Sequence, residues 1–209
     1  MKRVLIVGAG NFGQLLAKHL SAEHVIVGYV DDTKTGLVDD LPVWGGLGAI
    51  ERLHAEDAFD AVVLGIGYHH LGFRAELAAR LRAVEVQQLT WIHAASFIAP
   101  DVELGQGVLV FPGCTVDVGA RLEEGVVLQV GCVIAHDTTI GAHSFLGPGV
   151  NVAGFVRVGS QSFLGAGTIL IDGITLGVRT QTGAGTVVVT SNSGNELLVG
   201  APARTVRKR

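Results

Sequence analysis

The stretch Leu128-Gln129-Val130-Gly131-Cys132-Val133-Ile134-Ala135-His136-Asp137-Thr138-Thr139-Ile140 carries an aliphatic residue at every sixth position, and that step organises the chain from Ile98 to Val188. Backward the series runs through Leu122, Val116, Val110 and Leu104 to Ile98; forward it runs through Leu146, Val152, Val158, Leu164, Leu170 and Leu176. Thr182 is the one polar break before Val188 resumes it. Two residues before each step the side chain is mostly small or β-branched: Val108, Cys114, Ala120, Val126, Cys132, Thr138, Ser144. One residue after it, glycine recurs at Gly105, Gly141, Gly147, Gly159, Gly165, Gly177 and Gly183. Neither a 3.6-residue helix nor an alternating strand sustains this pattern. It predicts a solenoid in which three six-residue faces close one triangular coil, with the aliphatic position inward on every face. The recurrent glycines are expected at the corners, where positive φ is cheap only without a Cβ. The register never slips, which leaves no room for a long loop between coils.

Composition agrees. Glycine is abundant at 30 of 209 residues and charge is sparse, which suits stacked parallel β structure. A net charge of −4 gives no reason to expect nucleic acid as a partner. The basic end, Arg204, Arg207, Lys208 and Arg209, reads as a solvated tail. Met1-Lys2-Arg3 leads straight into a strand and no apolar run approaches membrane-spanning length, so the expected location is the cytoplasm. Cys114 and Cys132 are eighteen apart, one full coil, and should stack inward as buried hydrophobes of a reducing compartment.

Residues 1–90 read differently. Val4-Leu5-Ile6-Val7 runs into Gly8-Ala9-Gly10-Asn11-Phe12-Gly13 and then an amphipathic helix carrying Leu15, Leu16 and Leu20. Glycines at such a turn let the backbone approach a phosphate, and the helix start offers free N–H groups and a positive dipole end. A second strand, Val25–Val30, ends in Asp31-Asp32, placed to reach a ribose or base edge. A third, Ala61–Leu64, runs into Gly65-Ile66-Gly67 and a helix through Leu77 and Leu81. Between them Leu41–Gly45 reads as a loop into a helix near Ile50–Leu53, and a fourth strand is expected at Glu85–Leu89. Ninety residues hold one mononucleotide-binding half, whereas a dinucleotide site needs two. The expectation is a Rossmann-like α/β half domain, 1–90, for a nucleotide or nucleotide sugar, followed by an all-β parallel β-helix, 91–209.

Among the repeats His136, followed by Asp137, has no stacking purpose. It lies two residues beyond an inward aliphatic, hence at a corner and facing out. Gly154, one coil on, should leave space there for a ligand. Acyl transfer from a thioester to an amine needs a base for the amine proton, and imidazole titrates near neutrality. Asp137 would hold the ring and stabilise the charge it gains. No serine or cysteine sits in an evident dyad, so no acyl-enzyme is required. A main-chain N–H near Gly154 could serve the oxyanion. His93 could line a cleft or be structural; His69-His70 follow Gly67 at the open end of the sheet, and adjacent residues rarely share a metal, so no metal site is expected.

With Gly8–Gly13, Gly28–Asp32, Gly65–Gly67, Ile92-His93, His136-Asp137 with Ile140-Gly141, Gly183–Gly185 and Val199–Ala203 in this order, the chain resembles the sialic acid O-acetyltransferase type of bacterial sugar acyltransferases. That family includes N-acetyltransferases of nucleotide-linked 4-amino sugars in bacillosamine and perosamine synthesis. The resemblance implies a left-handed β-helix, a homotrimer with acetyl-CoA in clefts between neighbouring β-helices, and a role in cell-surface glycan synthesis. It implies His136 as general base with Asp137. Gly10, Asn11, Phe12, Asp31 and Asp32, with Gly65 and Gly67, would hold a UDP-, GDP- or dTDP-linked amino sugar. Gly154, Ala166 and Ala184 would line the CoA cleft, with Phe145 where relatives carry a second histidine; His143 is not assumed to replace it. Phe12 stands where a polar residue can occur. A sialic-acid-like hydroxyl as acceptor, and a non-catalytic nucleotide-sugar-binding trimeric scaffold, are the alternatives.

Overall fold

A computed structural model describes residues 1–208, which fall into two compact units, Met1–Leu89 and a second from Thr90 onward.

In the first unit β1 (Arg3–Val7) lies between β2 (Val25–Val30) and β5 (Ala61–Leu64) in a parallel sheet. Helix α1 (Asn11–Leu20) buries Gly13, Leu16, Ala17 and Leu20, leaving Leu15 exposed. The expected loop before α2 (Ala49–Ala55) holds a small hairpin, β3 (Leu37–Val38) with β4 (Leu41–Pro42), whose Pro42 is tolerated because the strand is at an edge. Residues 85–89 do not form a full strand. They add one bridge, Val62 to Gln88, flanked by hydrogen bonds from Val62 N–H to Gln87 O (2.8 Å) and Leu89 N–H to Val62 O (2.9 Å). Helix α3 (Leu71–Ala83) buries Leu77 and Leu81 as expected, together with Arg74.

In the second unit, two-residue parallel strands recur on three faces. Thr115 pairs with Val133, Arg121 with Thr139 and Val127 with Phe145, each one coil apart. The aliphatic series forms one continuous buried column. Thr182, its polar break, is buried too. Its Oγ1 accepts the Gly165 N–H (2.9 Å), standing in for a main-chain carbonyl, and bonds the Thr168 hydroxyl at 2.7 Å. Valine there would keep the shape and orphan a buried N–H. Thr182→Val is expected to cost about 1–3 kcal/mol, read as a fall of roughly 2–10 °C in Tm.

The glycines divide into two classes, and this corrects the sequence reading. Those one residue after the aliphatic do not have positive φ. They lie against the next coil: a Cβ on Gly147 would sit 2.9 Å from Ala166 N. The left-handed corners fall two residues later, at every sixth residue from Gly107 to Gly185. Nine of those slots hold glycine and five hold Asp137, His143, Phe155, Gln161 and Arg179.

Cys114 and Cys132 are free and buried, each thiol directed at a carbonyl of the following turn, Gln129 O (3.1 Å) and Gly147 O (3.3 Å). The basic end is not a loose tail. Arg204–Lys208 pairs antiparallel with Glu196–Val199; Arg209 lies outside the described residues. No helix is long and apolar enough to cross a membrane among the described residues.

Candidate active site

His136 and Asp137 occupy a corner between the strands Val133–Ile134 and Thr139–Ile140. The corner is anchored from inside by Thr138, whose Oγ1 donates to Ala153 O (2.8 Å) and accepts Val156 N–H (3.2 Å). Asp137 sits in a left-handed slot, φ 54°, and its Oδ2 lies 3.0 Å from His136 Nδ1. A carboxylate only accepts, so Nδ1 carries the hydrogen and the lone pair of the neutral ring is at Nε2. Both side chains stay open to solvent, at 45% and 52% exposure. Gly119, one coil before Asp137, makes this possible, because a Cβ there would lie 2.7 Å from Asp137 Oδ1.

Gly154 does not leave the ligand space expected of it. A Cβ at Gly154 would meet His136 Cε1 and Nε2, both at 2.8 Å, so the imidazole itself lies over the bare glycine backbone. The Gly154 N–H makes no main-chain hydrogen bond among the described residues. Phe155, next in the chain, packs against His136 with ring centroids 5.0 Å apart and planes at 87°. Sequence reasoning missed it. The signal was available: at its slot in the corner column, Gly119 and Gly173 stand one coil on either side of the pair Asp137 and Phe155.

The other residues expected at the cofactor are not beside His136 within one chain. Ala166 and Ala184 stack one above the other and are exposed, linked by Gly185 N–H to Ala166 O (2.8 Å). Their corner precedes the strand Ile169–Leu170, whereas the His136–Gly154 corner follows Val133–Ile134 and Asn151–Val152 of the same sheet. Phe145 is buried on another face, its ring tilted against Phe163 at 6.2 Å.

In the first unit, Gly10, Asn11, Phe12, Asp31, Asp32, Gly65 and Gly67 all lie at the carboxyl ends of β1, β2 and β5. Their roles separate. Gly10 caps α1 with open space where a Cβ would be. Gly65 packs instead, since its Cβ would lie 2.7 Å from both Gly13 Cα and Gly8 O. Gly67 faces Phe12, with 4.0 Å between the would-be Cβ and Phe12 Cβ.

Asp31 turns inward and ties its own loop to the glycine turn. Its Oδ2 accepts Ala9 N–H (2.8 Å); its Oδ1 accepts the Thr33 N–H (2.8 Å), the Thr33 hydroxyl (2.7 Å) and the Lys34 N–H (3.0 Å). Asp32 is exposed, with Oδ1 taking the Leu47 N–H at 2.8 Å. Lys34 Nζ and Gln14 Nε2 both donate to Ala9 O, at 2.8 and 2.9 Å, and fix the glycine turn from the other side. Arg74, buried, donates through Nη1 to Leu64 O (2.9 Å) and Ile66 O (3.1 Å), and burial pushes its guanidinium down to about 10. It remains a cation at neutral pH under the Gly65–Gly67 loop. Nothing in its helical position announces this.

Burial alone would raise the Asp31 carboxyl, but the donors from Ala9, Thr33 and Lys34 outweigh it and hold it below the ordinary carboxylate value. A depressed carboxyl contributes stability that is present above the unfolded value, about 4, and lost as pH falls through the folded one. Asp31→Asn is therefore expected to lower Tm at pH 7, with the gap to the unaltered protein closing as pH falls below about 4. Melting curves across that range check it.

His93 is a turn residue, its Nδ1 accepting Ala95 N–H at 3.1 Å. His69 lies against Tyr68, ring centroids 4.1 Å apart, and His143 is buried in a left-handed slot, φ 58°. No three His, Cys, Asp or Glu residues gather as metal ligands among the described residues.

Two family models match: the PglD N-terminal domain over residues 3–81 and the bacterial transferase hexapeptide over residues 119–154. No curated protein matches in sequence. Among solved structures, a histidine-to-asparagine variant of perosamine N-acetyltransferase from Caulobacter crescentus, in complex with CoA and GDP-perosamine, is 30% identical. It covers 99% of this chain and 97% of its own, with a TM-score of 0.93. The acetyltransferase domain of PglB from Neisseria gonorrhoeae FA1090 is 24% identical, covers 99% of this chain and 100% of its own, and has a TM-score of 0.90. WeeI from Acinetobacter baumannii AYE is 21% identical over 98% of this chain and 99% of its own, TM-score 0.84. The last two speak to the fold alone: a Rossmann-like half domain followed by a left-handed parallel β-helix.

Proposed function

Because the chain belongs to the hexapeptide-repeat sugar N-acetyltransferases of the bacillosamine and perosamine type, we propose that it transfers the acetyl group of acetyl-CoA to the amine of a nucleotide-linked 4-amino-4,6-dideoxy sugar. The observation that carries this reading is an imidazole held through Nδ1 by a carboxylate, open to solvent, in a chain that matches a perosamine N-acetyltransferase over 99% of its length.

The acceptor amine enters neutral and attacks the thioester carbonyl, forming the C–N bond. Nε2 of His136 takes the proton that the nitrogen gains in excess, and Asp137 stabilises the imidazolium. The Gly154 N–H serves the tetrahedral oxygen. Collapse breaks the C–S bond, and the thiolate leaves as CoA with the proton returned from the ring.

The nucleotide is assigned to the first unit, with Gly10, Asn11, Phe12 and Asp32 as its contacts and Gly67 beside them. Asp31, whose carboxylate is already committed to the glycine turn and its own loop, and the packed Gly65 are assigned to shaping that site. A homotrimer is part of the reading. In one chain the His136 corner and the Ala166–Ala184 corner lie on opposite edges of one sheet, and threefold packing of triangular prisms sets one chain's first corner beside a neighbour's second. Gly154, Ala166 and Ala184 then line a two-sided CoA cleft. Phe145, being buried, is left to its packing. The protein works in the cytoplasm, where acetyl-CoA and nucleotide sugars are made, and supplies glycan assembly.

The test is release of free CoA from acetyl-CoA in the presence of UDP-, GDP- and dTDP-linked amino sugars, with sialic acid alongside. Turnover with an amino sugar is expected. Turnover with sialic acid only would move the acceptor to a hydroxyl, and silence with no acetyl-CoA binding would leave a scaffold.

A further inference from the structure

Phe155 stands where glycine would be the unstrained choice. The corner slots one coil before and after its column pair, Gly119 and Gly173, have φ of 68° and 70°; Phe155 adopts 57° with a bulky aromatic side chain. Such a conformation is uncommon for a non-glycine residue and a marked outlier for a bulky one, and persists where something else fixes it. Core packing does not, since 60% of Phe155 is exposed. Its backbone needs no side chain to hold its place: Phe155 N–H donates to His136 O at 3.2 Å, a rung any residue could make. What the ring does touch is His136, edge to face, with the imidazole itself lying over the bare backbone of Gly154, the preceding residue.

We infer that Phe155 is a specificity-determining residue for the acceptor sugar: its exposed ring is the apolar platform for the methyl-bearing carbon next to the carbon that carries the amine. This rests on the N-acetyltransferase reading and adds to it the part of the sugar that the chain selects. The geometry leads there in two steps. An amine whose proton is taken by Nε2 brings its own carbon skeleton within reach of a ring centred 5.0 Å from the imidazole. In a 4-amino-4,6-dideoxy sugar the nearest wholly apolar group to that amine is the methyl on the adjacent ring carbon. An exposed aromatic face gains by covering such a group, whereas a hydroxymethyl in the same place would give up hydration against it.

Steady-state kinetics with a 4-amino-4,6-dideoxy acceptor and its 6-hydroxy counterpart, both on the nucleotide the protein uses, test the inference. Phe155→Gly relaxes the backbone and should not lower Tm. It is expected to raise acceptor KM about tenfold and to reduce a 6-deoxy preference of roughly 10–100-fold to within about threefold. The KM for acetyl-CoA and the shape of the pH–rate profile should not move, and Phe155→Tyr should keep the preference. An unchanged acceptor KM and preference in Phe155→Gly would overturn it. So would a fall in kcat with a displaced pH profile and no change in preference, the signature of a brace for His136. If the unaltered protein acetylates no amino sugar at all, the N-acetyltransferase reading falls and this inference with it; normal turnover with indifferent Phe155 variants removes this inference alone.

Discussion

Replacing His136 by alanine lowers kcat with the amino-sugar acceptor by about 10²–10⁴-fold, the range for loss of a general base. The protein itself is expected to be indifferent. The His136 side chain is 45% exposed, and its removal opens no cavity in the aliphatic column. KM for acetyl-CoA should stay within about twofold, because the imidazole acts on the amine. CoA release together with a melting curve separates the two effects. Asp137→Asn is the informative companion: an amide can turn either an oxygen or a nitrogen toward Nδ1, so the tautomer with its lone pair at Nε2 is no longer enforced.

The second large effect comes from a residue with no side chain. Gly154→Val places a Cβ where His136 Cε1 and Nε2 now lie 2.8 Å away, so the imidazole must rotate and the 3.0 Å contact with Asp137 is lost. Gly154 is not in a left-handed slot, so its backbone accepts the new residue without strain. A displacement of about 1 Å at a base can cost 10²-fold, and kcat is expected to fall by at least that much while Tm moves by a few degrees. Loss of fold in place of activity would mean that the corner, not the ring, needs the glycine.

These two residues show how far the sequence carries. Periodicity alone places every aliphatic from Ile98 to Leu176 on the inside, because an unbroken six-residue step keeps the same register on every face, and it places His136 at a corner. It does not tell which glycine of a repeat turns the chain and which lets two coils approach, since both are glycines at the same period. Gly147 and Gly149 separate only by φ and by what a Cβ would strike. The polar break at Thr182 is visible as an exception, but its reason, an N–H from Gly165 in need of an acceptor, is a property of the ladder.

In the first unit, strand, glycine turn and helix read directly. The pair Asp31-Asp32 does not: two identical neighbours alternate in direction, and Asp31 is spent on tying its own loop to the glycine turn while Asp32 takes the Leu47 N–H. The segment 85–89 has the composition of a strand and pairs at a single bridge, Val62 to Gln88. Arg74 left no mark at all. A charged residue on a helix face is ordinarily solvated, and the bonds from Arg74 to the carbonyls of Leu64 and Ile66 appear only in the folded chain.

The bond that is made tests the N-acetyltransferase reading most directly. Acetyl-CoA labelled at the carbonyl carbon is turned over with a nucleotide-linked 4-amino-4,6-dideoxy sugar, and the product is examined by NMR. The expected product is an amide, with the label coupled to an N–H on the sugar carbon that bore the amine. An ester on a sugar hydroxyl, or free acetate with the sugar untouched, would contradict it.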